Sequence, residues 1–257
     1  MIKRTTPLLV GNWKTTPETL DIAKKFIKQL DKKCDSSKIK LPKKAYFIAA
    51  PDIFIPHLLP LATRGYIGSQ NVSGISTGQI TGVTTPSQLL SAGAEFTIIG
   101  HSEVRKAGET TDARAHKVAL ALQAKLTTIL CFGEQVRDKN GNYLNELEED
   151  VRQTLSLVDR NLFDNLILAY EPVWAIGSKV PATSSECFEV VIALRRALAS
   201  LVGIDYAKKV QVLYGGAVAS DNAKNFLEEG GVDGLLIGRA SQDVSSFIEI
   251  INACYDK

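Results

Sequence analysis

Leu166-Ile167-Leu168-Ala169-Tyr170-Glu171-Pro172-Val173-Trp174-Ala175-Ile176-Gly177 is the stretch on which the fold turns. Its first five residues form an unbroken apolar run, the pattern of a parallel strand buried on both faces. Pro172 ends that strand and stiffens its exit. The carboxylate of Glu171 therefore stands at a strand's C-terminal end, the functional rim of an α/β barrel. Val173, Trp174 and Ile176 are large apolar residues in a segment that reads as a loop. Loops expose such groups when they cover something. Gly177 frees the backbone to turn or to approach a ligand closely. The stretch reads as a base beneath a movable, water-excluding lid. The ordinary alternative is a capped strand end, with Trp174 filling a surface groove.

Working outward, further short apolar runs recur at 7–12, 45–50, 66–71, 96–100, 126–131, 210–214 and 234–238. Helical patterns lie between them. The first opens with Thr16 as N-cap and Pro17 in the first turn, followed by Leu20, Ala23, Phe26, Ile27 and Leu30 at helical spacing. Others are predicted over 86–92, 117–124, 185–201 and 243–254, and one is opened by Asp221. The acidic run Glu146, Glu148, Glu149 and Asp150 is expected in the opening turns of another, where the macrodipole favours it. Eight strands alternating with helices, with no linker or composition break, predict one (β/α)8 barrel domain over residues 1–257. The glycine-rich loop 72–85 is too long for a plain connector, which implies a function of its own.

The bulk properties narrow the function. The 257 residues suit one barrel, and the formal net charge of +2 gives no reason to expect nucleic acid or a membrane as partner. Cys34, Cys131, Cys187 and Cys254 are far apart and form no CxxC pair, against a metal or disulfide framework and in favour of a reducing compartment. Met1-Ile2-Lys3-Arg4-Thr5-Thr6 lacks the apolar core of a signal peptide, and no run reaches membrane-spanning length. The expectation is a cytoplasmic protein.

Chemistry gathers after the strands: Asn12 and Lys14 after the first, His101, Ser102 and Glu103 after the fourth, and Glu171 after the sixth. Gly215-Gly216 and Gly238 follow the last two strands, the usual place for a barrel to bind phosphate through backbone N–H groups. A lone histidine or lysine at such a place is commonly structural. Their joint occurrence on one rim points to a site. Cys131 has no evident base partner and reads as packing, not as a nucleophile.

Gly11-Asn12-Trp13-Lys14, Gly100-His101-Ser102-Glu103, Cys131-Phe132-Gly133-Glu134, 169–177, Tyr214-Gly215-Gly216 and Asp233 to Gly238 resemble the triosephosphate isomerase family over nearly the whole chain. The resemblance implies interconversion of dihydroxyacetone phosphate and glyceraldehyde 3-phosphate through an enediolate, with no metal and no cofactor. It implies Glu171 as the base that moves a proton between adjacent carbons, and His101 as a neutral hydrogen-bond donor to the substrate oxygens. Lys14 adds positive charge and Asn12 a neutral donor, with Ser102, Glu103 and Tyr214 in support. Substrate contacts are implied for Asn12, Lys14, Gly177, Ala217, Gly238 and Arg239. Pro172, Val173, Trp174, Ala175 and Ile176 form the lid, which with Leu236 desolvates the base. A homodimer is implied, with Thr81, Val83 and Val104 at the contact.

The chain also departs from the family pattern. Ala217 stands where a serine is usual, Arg239 and Lys179 stand where glycines are usual, and the hinge reads Val180-Pro181-Ala182. Loss of the serine hydroxyl removes one lid latch, worth roughly 0.5–1.5 kcal/mol of closure. The expectation is a looser lid, with the Tyr214 latch towards the Ala182 backbone retained and Pro181 limiting the open hinge. Val83 and Val104 replace the usual intersubunit ion pair on both sides, a change that can be neutral because neither charge is stranded. Two alternatives stand beside the triose phosphate reading. One is isomerisation of a four-carbon ketose phosphate, and the other is a barrel that binds phosphorylated ligands without catalysis.

Overall fold

The apolar runs become short parallel strands: β1 Leu8–Asn12, β2 Tyr46–Ala50, β3 Gly65–Ser69, β4 Phe96–Ile99, β5 Thr127–Phe132, β6 Leu166–Tyr170, β7 Gln211–Tyr214 and β8 Gly234–Ile237. A computed structural model describes residues 6–78, 80–176 and 181–256. Each strand pairs with the next, and β8 pairs with β1 through Leu9↔Leu235 and Val10↔Leu236, closing the barrel. Helices outside the strands make this the (β/α)8 architecture expected from the alternation.

Strand alternation sorts the core. Val10, Ala49, Phe96, Ile98, Ile129, Cys131, Ile167, Ala169, Leu213 and Leu236 fill the barrel interior. Leu9, Leu130, Leu168, Tyr170, Tyr214, Leu235 and Ile237 face the helices. In β6 this parity runs Ile167 and Ala169 inward, so Glu171 comes next on the inner side at the barrel mouth. In β1 it runs Val10 inward, then Asn12.

Several helices begin elsewhere than the sequence predicted. The first spans Leu20–Asp35, and its cap is Thr19, whose hydroxyl accepts from the Ile22 N–H. Thr16 is unavailable as a cap, because its N–H and hydroxyl both donate to the Trp13 carbonyl and fold 13–16 into a turn. The helix expected to open at Asp221 is Ala223–Glu228, preceded by Asn222, whose side chain accepts from the Ala219 N–H. The helix read as 117–124 spans Thr111–Gln123. Its early inward residue is Arg114, buried against Asp150, so an apolar period could not reveal that turn.

The acidic run is not at a helix start. Its helix begins at Asn142, where the Asp138 carboxylate accepts the Asn142 and Tyr143 N–H groups. Glu148 instead binds Arg196 of the Ser184–Val202 helix and Arg152, while Asp150 binds Arg114. The run ties neighbouring helices of the outer ring together. No helix among the described residues is long and apolar enough to cross a membrane.

Candidate active site

Lys14 sits in the left-handed region at φ 56°, which for a lysine costs about 1–2 kcal/mol. Neighbouring bonds hold it there. Asn12 Oδ1 accepts its N–H at 3.0 Å, and Gln70 Nε2 donates to its carbonyl at 2.6 Å. On either side, the Trp13 indole donates to the Ser241 carbonyl and Gln242 donates to the Trp13 carbonyl. The result aims the Lys14 ammonium at Glu103, 2.5 Å away. Partial burial raises the Glu103 carboxyl, but the hydrogen bond and charge of Lys14 outweigh this and hold it below the ordinary value. Backbone strain kept in place by surrounding bonds is a mark of functional positions.

His101 reaches the mouth through a break in strand parity. Gly100, at φ 73°, turns the chain in a way that few side chains tolerate. His101 then caps the short helix Ser102–Lys106, its Nδ1 accepting the Glu103 N–H at 3.3 Å. With Nδ1 an acceptor, the hydrogen-bond network assigns the ring proton to Nε2. Nε2 lies 3.1 Å from Glu171 Oε1.

Glu171 is only 1% exposed. Its other oxygen accepts the Ser102 N–H at 2.8 Å, and the Ser102 hydroxyl lies 3.5 Å from Oε1. Gly133 permits the close approach of strands here, since a Cβ at that position would sit 1.6 Å from the Glu171 carbonyl oxygen. A Cβ placed on Gly215 would lie 3.0 Å from Glu171 Cγ and 3.6 Å from Leu236 Cβ, so both side chains flank that glycine. The Cys131 thiol is pushed well above its ordinary range by burial and then by the Glu171 charge, which keeps it protonated.

The segment after Glu171 folds as the single 3-10 turn Val173–Ala175, with Pro172 and Ala175 buried. Ile176 follows at 39% exposed. Gly177, Lys179 and Val180 lie outside the described residues. Tyr214 is buried, and burial pushes its phenol up. The Ala182 backbone N–H faces the phenol and works against that rise, in the direction of the expected latch.

Beyond the ends of β7 and β8, Ala217 and Arg239 are exposed and Gly238 is half-buried. No acceptor among the described residues takes the N–H of Ala217, Gly238 or Arg239. A Cβ on Gly238 would lie 3.8 Å from Lys14 Cε, so the end of β8 adjoins that lysine. Thr81 and Val83 are exposed, and Val104 is half-buried in the helix that His101 caps, its N–H donating to the His101 carbonyl. No group of acids, histidines and cysteines among the described residues is arranged to hold a metal ion.

Sequence reasoning missed the groups that hold the site from behind. Glu134 Oε1 accepts from Trp174, Tyr170 and Arg137, anchoring the base of the lid to β5. Arg105 donates to the Gly133 carbonyl and brings Nη2 to 4.0 Å from Glu171. Gln70 bridges Lys14 to β2 at the Ala49 carbonyl. The signal for Glu134 was available: a second carboxylate directly after a strand end.

Residues 7–254 match the family model for triosephosphate isomerase. A triosephosphate isomerase of Flavobacterium psychrophilum is 35% identical over 250 residues, covering 95% of this chain and 98% of the relative. One from Coprinopsis cinerea is 33% identical over 246 residues, covering 95% and 96%.

Proposed function

Since this chain belongs to the triosephosphate isomerase family, we propose that Glu171, His101, Lys14 and Asn12 carry its reaction. The reaction is the interconversion of dihydroxyacetone phosphate and D-glyceraldehyde 3-phosphate. The observation that carries the assignment is the buried Glu171 carboxylate, 3.1 Å from His101 Nε2. Glu171 takes a proton from the carbon beside the carbonyl and returns it to the neighbouring carbon. Negative charge builds on oxygen in the enediolate, and His101 Nε2–H donates to that oxygen. Lys14 contributes a cation between the enediolate and the phosphate, and Asn12 a neutral donor. Isomerase turnover of the purified chain, beside that of its Glu171→Gln form, tests the assignment.

Phosphate is held by the backbone N–H groups of Gly177, Ala217, Gly238 and Arg239, and the Arg239 guanidinium adds charge at the same place. Closure brings Ile176 over Glu171 opposite Leu236, with the Tyr214 hydroxyl held towards the Ala182 backbone. The 39% exposure of Ile176, next to a turn that buries Pro172 and Ala175, supports that motion. Ile176→Ala then lowers kcat several-fold and leaves KM within about twofold, since the lost cover matters once charge develops. An unchanged kcat in a steady-state assay would remove the desolvating role.

The working unit is one domain over residues 1–257, paired as a homodimer through the 72–85 loop. Ile80 and Val83 stand 53% and 47% exposed there, large apolar groups that a second copy would cover. Light scattering at low micromolar concentration is expected to give twice the mass of 27.9 kDa; the monomer mass would refute the pairing. Cytoplasmic residence is supported by Cys34, Cys131, Cys187 and Cys254, all of them free thiols.

A further inference from the structure

The near-neutral total charge hides a local excess. Between residues 18 and 44 stand Lys24, Lys25, Lys28, Lys32, Lys33, Lys38, Lys40, Lys43 and Lys44, against Glu18, Asp21, Asp31 and Asp35. Two of those acids are already engaged. Asp31 is buried under the Tyr46 and Thr63 hydroxyls, and Asp35 holds Arg64 at 2.6 Å. The Leu20–Asp35 helix buries Ala23, Phe26, Ile27, Leu30 and Cys34. Lys25, Lys28 and Lys32 therefore fall on its opposite, outward side, with Lys24 at the flank. Apart from Lys44, whose ammonium donates to the Ala62 and Gly65 carbonyls, none of these lysines has an ion pair or side-chain hydrogen bond to a described residue. Asp243 of the adjacent helix feels Lys33 and is the opposing charge from that side.

We propose that this helix face adsorbs the protein to an anionic phospholipid surface. The face carries Lys24, Lys25, Lys28 and Lys32 around the single acid Asp21 and Gln29, without an arginine fork for bidentate phosphate recognition. Its one aromatic ring, Phe26, is buried, so no base could stack on it. Diffuse positive charge on an amphipathic helix suits a fluid anionic bilayer, whose attraction acts within a Debye length. Ile22, 52% exposed beside the stripe, supplies an apolar contact at headgroup level. The helix belongs to the outer ring, and the mouth opens at the strand ends, so adsorption leaves substrate access free.

The test is sedimentation of the full chain with phosphatidylcholine vesicles that do or do not contain phosphatidylserine. Binding is expected only to the vesicles with phosphatidylserine. It should weaken at least about tenfold in the Lys25→Glu, Lys28→Glu, Lys32→Glu triple variant, and in high salt. The matching triple Lys→Arg variant should keep it. Isomerase activity and thermal midpoint should not change in either variant, which separates failure of this proposal from failure of the catalytic assignment. Absence of binding by the parent, or equal binding by the triple Glu variant, would overturn it. Displacement from vesicles by duplex DNA at lower concentration than by soluble phosphatidylserine would make the partner nucleic acid and overturn the lipid assignment.

Discussion

Glu171→Gln is expected to lower kcat by about 10²–10⁴-fold, the range for losing a positioned general base. The amide keeps the volume of the carboxylate, and its oxygen can still accept the Ser102 N–H that Glu171 accepts at 2.8 Å. What it cannot do is hold the proton between the two carbons. The change should therefore appear in kcat with little loss of substrate affinity, and the thermal midpoint should move by no more than a few degrees. Turnover within tenfold of the parent would show that another group takes the proton. Among the described residues, Glu103, the other carboxylate at the mouth, is exposed and already paired with Lys14.

His101→Ala should lower kcat by about 10²–10³-fold, the usual effect of removing one donor to a developing oxyanion. This substitution also removes a helix cap, because Nδ1 accepts the Glu103 N–H. Stability should fall by about 1 kcal/mol, which lowers the thermal midpoint by roughly 2–4 °C in a chain of this size. Two separable readouts follow. A structural histidine would show the second effect alone. A histidine that only holds ground-state substrate would raise KM and leave kcat in place. The account requires the fall in kcat.

The barrel was readable because each apolar run ends in a residue that cannot continue it, and because inner and outer side chains alternate. The placing of Glu171 and Asn12 follows from that alternation alone. His101 does not follow it. Its approach to the mouth depends on the positive φ of Gly100, which a residue list shows only as a glycine. Helix starts were misread where a side chain had a prior engagement. Thr16 is spent on Trp13 and cannot cap, and Asp138 does the work at a helix start that the later acids were expected to do. Glu134 and Arg105 were overlooked for a related reason. They act on the lid and the base from behind, through bonds between residues far apart in sequence. Pattern within one element carries no trace of them.

The departures on the phosphate side bear on the lid more than on the base. On the proposed reading, Ala217 supplies a backbone N–H without the hydroxyl, which leaves the Tyr214 phenol beside the Ala182 backbone as the remaining latch. Closure then depends on one phenol and on Ile176 meeting Leu236. That explains why the Ile176→Ala effect is expected in turnover, where the closed state matters, more than in affinity.

The central claim is that one shielded carboxylate moves a proton between adjacent carbons through an enediolate. Turnover in D₂O, followed by NMR of the product, tests it most directly. A proton held on a carboxylate exchanges with solvent in part, so a measurable fraction of the glyceraldehyde 3-phosphate should carry deuterium at the carbon beside its carbonyl. Product formed at the full rate with no deuterium there would mean that hydrogen passes directly between the carbons, and the account would be wrong.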